Sequence, residues 1–311
     1  MKYNYLPTSL EGEKSMKSKS ILRVVGLVLL CVTAAAAADG PKLSFKFKAV
    51  KVPGATSAEP GGVNNAGVSV GLYLDSSSVE HGYILSGTKL TTLDDPNATA
   101  GTTAGSNLNP DGAVSVVGSY ISSATSESVG FLYKGGKYTD VAGPSGAIAA
   151  SANAINDKGA IVGNYTDSSG VTHGFLLVGS TYTTLDVPGA TATIATGINK
   201  SGNICFYWLD SSSVYESSVY NAKTKTYTTI DVPGAADSYA LDLNAAGDVT
   251  YEWQDSSGNI HGALLHAKKY YKYGYPKAAD TYGGGINDKS EIVGGYASST
   301  SGPWSAFQVK Y

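Results

Sequence analysis

The sequence predicts an all-β chain: a six-bladed β-propeller of four-stranded antiparallel blades, with the ring closed by the N-terminal strand completing the last blade. Three observations carry this expectation. The motif Leu185-Asp-Val-Pro-Gly-Ala190 returns as Ile230-Asp-Val-Pro-Gly-Ala235, and looser copies surround Pro53, Pro96, Pro144 and Pro276, so six prolines stand 43, 48, 44, 45 and 43 residues apart. A second marker, Asn-x-x-Gly, keeps the same beat at Asn64, Asn109, Asn156, Asn199 and Asn244, with a Ser-ended copy at Asn287. Each unit divides into four short β-prone runs separated by turn residues, with no helical periodicity. Four strands in a unit of about 45 residues, repeated around a closed ring, is the pattern of a propeller blade.

Residues 1–38 stand outside the repeat. Lys17, Lys19 and Arg23 precede the apolar run 24–32, and alanines 34–38 follow. That order is expected of a secretory signal peptide cut after Ala38, and the apolar run is short for a membrane span. Met16 competes with Met1 as the start. Cys31 is a poor lipidation site because the bulky Leu30 precedes it. The expected division is a signal peptide over 1–38 and a single six-repeat domain over 39–311. The expected location is extracellular or periplasmic, with attachment at the cell surface as a variant.

Removing the leader's five basic and two acidic residues from totals of 22 and 25 leaves 17 against 23, a net charge of −6. This mild acidity argues against nucleic acid or anionic lipid as a partner. Cys205 is then the only cysteine, so no intrachain disulfide forms and burial alone must hold the domain. A monomer is expected.

Within the third repeat, Tyr138-Thr-Asp-Val141 leads to Pro144 and an Ala/Ser-rich loop. Then come Ala152-Asn-Ala-Ile-Asn156, the turn Asp157-Lys-Gly159, Ala160-Ile-Val-Gly-Asn-Tyr165, the turn Asp167-Ser-Ser-Gly170, and Thr172-His-Gly-Phe-Leu-Leu177. The Asn-x-x-Gly segments read as type I turns: Asn bonds back to the turn and Gly takes the left-handed conformation. Asp75, Asp167, Asp210 and Asp255 open hairpin tips of the form Asp-Ser-Ser-x. One carboxylate per tip is too few for a calcium loop.

Side-chain size orders the strands. Four residues before each Asn stand Pro60, Gly105, Ala152, Ala195, Ala240 and Gly283, and two before stand Gly62, Asn107, Ala154, Gly197, Asp242 and Gly285. Strands crowded around an axis need such small side chains, so this run is placed innermost. The aliphatic residues just before each Asn (Val63, Leu108, Ile155, Ile198, Leu243, Ile286) are expected between blades. The Tyr-bearing run comes second, the His-Gly-Phe run third and the Tyr-Thr-Thr run outermost. The segment 44–52 is then an outer strand without a blade, and 305–311 a third strand without a partner. Their pairing closes the ring and removes two exposed edges.

With these residues in view, the chain resembles the extracellular HAF repeat family, named for a His-Ala-Phe tripeptide. The matching positions are His81-Gly-Tyr83, His173-Gly-Phe175 and His261-Gly-Ala263, with parts of Gly-Ile-Asn-x-x-Gly-x-Ile-Val-Gly at 154–163, 197–204 and 285–294. The middle residue is Gly rather than Ala, and repeats two, four and six lack the His. The resemblance covers 43–311 and implies secretion and repetition, with no catalytic residues.

No nucleophile elbow, phosphate loop, metalloprotease helix or cysteine cluster is present. His81, His173 and His261 occupy one position in alternate repeats, too far apart to share a metal. Neither metal nor cofactor is expected. Breaks in the repeat point elsewhere. The Gly of Ile-Val-Gly (Gly71, Gly118, Gly163, Gly294) becomes Phe206 and Tyr251, and the Tyr two residues later (Tyr73, Tyr120, Tyr165, Tyr296) becomes Trp208 and Trp253. With Tyr207 and Glu252 between them, Phe206, Tyr207, Trp208, Tyr251, Glu252 and Trp253 form a candidate ligand-binding patch on adjacent blades. The plainer alternative is that these rings fill a wider gap between blades. The expected function is a non-catalytic binding or surface-interaction module for carbohydrate or another extracellular macromolecule, such as a protein. The rival is a hydrolase or lyase acting on polysaccharide, with acids such as Asp242 or Glu252 at the channel mouth. Asp242 is read as the one carboxylate on an innermost strand, and Asp94-Asp95 as a loop pair.

Overall fold

Six strands approach one axis because almost nothing but backbone separates them there. A Cβ at Gly61 would collide with the carbonyl of Ser106 in the next blade, and one at Gly285 with the backbone of Gly62. The computed structural model describes residues 43–311, and the expected leader over 1–38, with Cys31, lies outside the described residues. Phe45–Tyr311 forms one compact unit. Its inner strands are Ser57–Val63, Ala104–Leu108, Ala149–Ile155, Ala192–Ile198, Asp237–Leu243 and Asp280–Ile286, each heading a four-stranded antiparallel sheet. Blade 3 shows the order: Ala149–Ile155, Ile161–Thr166, Thr172–Val178 and Thr181–Thr184, from axis to rim. The strand order is therefore the one side-chain size implies. No helix occurs among the described residues.

Blade 6 is completed by the N-terminal strand Lys46–Val50, which pairs with Ser305–Lys310 in a register that sets Lys46 opposite Lys310 and Val50 opposite Ala306. Aromatic rings reinforce this closure. Phe47 lies edge-on to Phe307 at 5.3 Å and to Tyr275 at 5.5 Å, and Phe45 packs on Tyr273 at 4.8 Å.

A bulge falls in every inner strand, between the fourth and second residues before Asn in blades 1–5 and between Gly283 and Ile286 in blade 6. The extra residue turns toward the next blade. Thr196 donates its hydroxyl to the Ala240 carbonyl at 2.7 Å, and the Asn153 amide donates to the Ala195 carbonyl at 2.9 Å. Side-chain patterning alone does not reveal the bulge, because the residues on both sides of it are small.

The core is divided into sectors between blades. Ala154 and Val162 of blade 3 pack with Ala195, Ile198, Phe206 and Trp208 of blade 4, and Cys205 of blade 4 packs with Leu243, Tyr251 and Trp253 of blade 5. Of the aliphatic residues preceding each Asn, Leu108, Ile155, Ile198 and Leu243 join these sectors, and all six border a cavity on the axis.

The expected turns are present. Asn156 Oδ1 accepts from the amides of Lys158 and Ala160 at 3.0 and 3.1 Å, and Gly159 has φ +75°. At the Ser-ended copy, Ser290 takes φ 62°. In the hairpin tips, Asp167 Oδ1 accepts from the amides of Ser169 and Val171 at 2.8 and 3.0 Å. Asp75, Asp210 and Asp255 repeat this pattern.

Candidate functional site

Four of the six residues in the sequence-predicted patch are packing residues. Phe206 and Tyr251 are fully buried, and Trp208 and Trp253 are 9% and 7% exposed. Trp208 Nε1 donates to Ser218 Oγ at 3.0 Å, Trp253 Nε1 to the Gly262 carbonyl at 3.3 Å, and the Tyr251 hydroxyl to the Ile230 carbonyl at 2.8 Å. The register explains the repeat break. In the remaining blades the second-strand Gly lies opposite a third-strand ring: Gly71 with Tyr83, Gly118 with Phe131, Gly163 with Phe175 and Gly294 with Phe307. A Cβ at Gly163 would sit 2.9 Å from the Phe175 ring. In blades 4 and 5 the pairs are Phe206 with Ser218 and Tyr251 with Ala263. One ring per blade is kept, and it has moved from the third strand to the second. Of the two readings of Phe206, Trp208, Tyr251 and Trp253, a ligand-binding patch or rings that fill a gap between blades, their burial matches the second: strand alternation turns them into the sectors between blades.

Tyr207 and Glu252, on the opposite face, lie elsewhere. Tyr207 packs edge-on to Tyr215 at 5.8 Å and to Tyr239 at 5.3 Å, and Tyr215 and Tyr239 are 5.0 Å apart. Glu252 stands opposite Tyr239 in the sheet of blade 5. Burial pushes the Glu252 carboxyl up to about 7, with Glu59 and then Asp280 adding to the effect. Glu59, in the inner strand of blade 1, is 7% exposed, and burial pushes it to about 7 as well. Tyr282 of blade 6 reaches blade 1 by donating its hydroxyl to the Pro60 carbonyl at 3.4 Å, and its ring lies edge-on to Trp304 at 5.2 Å.

These residues come from four consecutive blades (4, 5, 6 and 1) and gather at the end of the channel where the inner strands begin. Glu252, Tyr239 and Tyr215 are half-buried there. Blades 2 and 3 supply only Ala104 and Ser151 at the position of Glu59, Tyr239 and Tyr282. The mouth is therefore one-sided: tyrosines and acids on one wall, small residues on the other. Glu59, Tyr239, Asp280 and Tyr282 were missed in the sequence because the inner strands begin several residues before the small-residue run. For the same reason Asp242 is not alone among inner-strand carboxylates, since Glu59, Asp237 and Asp280 share those strands. The available signal was the column five residues before each Asn, which reads Glu59, Ala104, Ser151, Ile194, Tyr239, Tyr282.

Asp242 serves the other end of the channel. Its oxygens accept from the backbone amides of Leu243 at 2.9 Å and, across the blade boundary, Ile286 at 3.0 Å. Burial still raises its pKa to about 7, against these bonds and one from the Asn107 side chain in blade 2. The adjoining cavity, bordered by Val63, Leu108, Ile155, Ile198, Leu243 and Ile286, has about 20 Å3 of space, enough for a water molecule or two and too small for a sugar ring. Asp242 is a clamp between blades rather than a group at an open mouth. Of the loop pair, Asp94 holds His81 at 2.8 Å, and Asp95 accepts from the Asn97 amide at 2.8 Å.

The histidines are held within their own blades. His173 stacks on Tyr165 at 5.1 Å and bridges Asp186 at 2.9 Å and Asp167 at 3.4 Å. Burial works against its charge, but Asp186 and then Asp167 outweigh it and raise the pKa. His81 repeats this arrangement with Asp94 and Asp75. His261, 4.5 Å from the Trp253 ring, keeps only the tip partner Asp255 at 3.0 Å, and Gly274 stands where the outer Asp would be. His266 pairs with Asp248 at 2.9 Å. No group of three His, Cys, Asp or Glu side chains arranged to hold a metal occurs among the described residues.

Comparison with solved structures places this ring among β-propellers. TolB from Acinetobacter baumannii is similar at 13% identity and a TM-score of 0.54, covering 78% of this chain and 63% of that one. This chain therefore spans less than two thirds of TolB's length. A triple-arginine mutant of AofleA from Arthrobotrys oligospora aligns over 84% of this chain and 88% of its own, at 13% identity and a TM-score of 0.52. The lectin SapL1, in complex with alpha methyl fucoside, aligns over 81% and 92%, at 10% identity and a TM-score of 0.50. No family model matches the sequence, and no curated protein does. The HAF resemblance thus rests on the repeat residues themselves.

Proposed function

We propose that this chain is a secreted, non-catalytic carbohydrate-binding module whose contact surface is the one-sided channel mouth. The observation that carries this reading is the convergence of Tyr207, Tyr215 and Tyr239 with Glu59 and Glu252 from separate blades. Tyrosine rings offer flat apolar faces to the C–H face of a sugar, and carboxylates accept from its hydroxyls. These five occupy columns that vary from blade to blade, at one end of the axis. The architecture also suits the role, since SapL1 holds alpha methyl fucoside on a propeller. The test is a glycan and cell-wall binding array on the purified protein beside Tyr239→Ala and Tyr207→Ala. Binding lost in these variants and kept in Trp208→Phe supports the mouth. Binding unchanged in both tyrosine variants overturns it.

A second reading is favoured by one observation, the two raised carboxyls. Glu59 and Glu252 each lie near 7, the poise that lets one carboxyl donate a proton while its neighbour is ionised. A polysaccharide hydrolase or lyase would use that pair. Product released from any polysaccharide, and abolished by Glu59→Gln or Glu252→Gln, would establish this reading in place of the first.

A further inference from the structure

Glu59, buried, and Glu252, half-buried, lie close enough at the channel mouth for Glu59 to raise the Glu252 carboxyl, and no described lysine or histidine forms an ion pair with either. Residues 43–311 contain no arginine, the chain's one arginine being Arg23. The lysine ion pair among the described residues is that of Lys310 with Glu291, far from the mouth in the strand order of blade 6. Every histidine is engaged by an aspartate of its own blade. Glu59 is 7% exposed, and burial is the largest influence on its carboxyl, with Glu80 adding to it. Asp280, by contrast, is satisfied by the amide of Ile260 at 3.1 Å.

An uncompensated carboxylate in such a place costs stability whenever it is ionised, and a second one beside it raises the cost. Two buried acids elsewhere in the chain are answered by donors. Asp242 receives two backbone amides, and Asp248 receives His266 and the Tyr311 hydroxyl at 2.7 Å. Glu252, by contrast, stands opposite Tyr239 in the sheet, beside the tyrosine cluster. The three rings Tyr207, Tyr215 and Tyr239 lie 5.0–5.8 Å apart in mutually tilted planes. Ring faces so grouped attract a cation, and the attraction grows where water is excluded.

We infer that the mouth recognises a protonated amine, with Glu59 and Glu252 as its counter-ions and the tyrosine cluster of blades 4 and 5 as its aromatic wall. On the carbohydrate-binding reading above, on which this inference rests, the ligand class is an amino sugar with a free ammonium group. A neutral glycan would leave both carboxylates unanswered.

The experiment is isothermal titration of the purified protein with a glucosamine tetramer, its N-acetylated counterpart, cellotetraose and calcium chloride. The expected result is binding of the glucosamine tetramer at least about tenfold tighter than either neutral tetramer. Glu59→Gln and Glu252→Gln should each weaken it by about tenfold or more while the variants stay folded by circular dichroism. Tyr239→Ala should weaken it in the same direction. Equal binding of all three tetramers overturns the ammonium inference and leaves the carbohydrate reading standing. Tetramer binding that ignores both glutamine variants also overturns the inference by placing the amine elsewhere. Calcium binding that depends on Glu59 and Glu252, without response to the glucosamine tetramer, replaces the ligand with a metal ion. No binding of any sugar overturns both.

Discussion

Asn287 donates its side-chain amide to the carbonyl oxygen of Asn64 at 2.9 Å, joining the last blade to the first. The same bond recurs around the ring: Asn156 to Asn199 at 3.2 Å, Asn199 to Asn244 at 3.0 Å, and Asn244 to Asn287 at 3.3 Å. Each of these asparagines therefore has two tasks. Its oxygen organises its own turn, and its nitrogen holds the next blade. Two joints use substitutes. The backbone N–H of Asn65 donates to the Pro110 carbonyl at 3.0 Å, and the backbone N–H of Asp111 donates to Asp157 Oδ1 at 2.8 Å. In Asn244 and Asn287 the same amide nitrogen also reaches a carboxylate of its own blade, Asp248 at 3.4 Å and Glu291 at 3.0 Å.

The two tasks can be separated. Asn199→Asp keeps the acceptor oxygen for the amides of Ser201 and Asn203 but removes the donor to blade 5. It should cost about 1–3 kcal/mol, the range for leaving a buried carbonyl unpaired. Asn109→Asp should cost less, because the Asn109 amide bonds within its own turn, to the Asp111 carbonyl. Denaturant midpoints of the two variants give the comparison. Equal losses would mean that the relay contributes nothing beyond the turn.

The turn glycines offer a cleaner measure of backbone strain. A Cβ at Gly159 meets no heavy atom within 4 Å, yet its φ is +75°. Gly159→Val should therefore destabilise by about 1–2 kcal/mol through left-handed strain alone. Ser290, at φ 62° in the equivalent turn, already bears part of that strain, so Ser290→Gly should raise the melting temperature. Thermal unfolding of both variants checks the opposite signs.

The migrated ring predicts a coupling. Phe206→Gly alone should cost about 3–5 kcal/mol as a buried ring is lost, and Ser218→Phe alone should overpack the same space. The double variant reproduces the Gly–ring pair of blades 1–3 and 6. It should be less destabilised than the sum of the singles by at least about 1 kcal/mol, although the Trp208–Ser218 bond is lost in it. A strictly additive cycle would show that the two positions do not share one space.

Stability should fall as pH rises through the weakly acidic range. Glu59, Glu252 and Asp242 are near 7 when folded, against ordinary values of 4.5, 4.5 and 3.8. Between those limits the folded chain binds more protons than the unfolded one, so the slope of stability with pH is negative there. Raised His173 acts in the same direction, its contribution being present below 6.5 and lost above its folded pKa. The lowered carboxylates Asp75, Asp167 and Asp255 protect only above their unfolded value and lose that contribution in stronger acid. The melting temperature should therefore peak near pH 5 and be lower at pH 8, and Glu252→Gln should raise it at pH 8 more than at pH 5. A melting temperature that climbs steadily from pH 5 to pH 8 would contradict the buried acids.

Blade number, strand order, ring closure and turn type were all determined by the sequence on its own, because each is written locally and six times. Asn and Gly at a set spacing specify a turn wherever it occurs, and a column of small residues specifies a crowded axis without any reference to a partner. The migrated rings were half legible: Phe206 and Tyr251 stand out in one column, while their compensation by Ser218 and Ala263 lies in another that becomes meaningful only when the register pairs them. The channel mouth was legible in part: Tyr207 and Glu252 stand in the patch read from the repeat breaks, whereas Glu59, Tyr215 and Tyr239 join them only in the tertiary structure. Glu59 and Glu252 are 193 positions apart, and nothing beside Glu59 in the sequence links it to Glu252. Closure of the ring brings blades 5, 6 and 1 together, and burial there raises both carboxyls, with Glu59 adding to the rise at Glu252. Charge interaction depends on distance and on the surrounding medium, and the linear chain records neither.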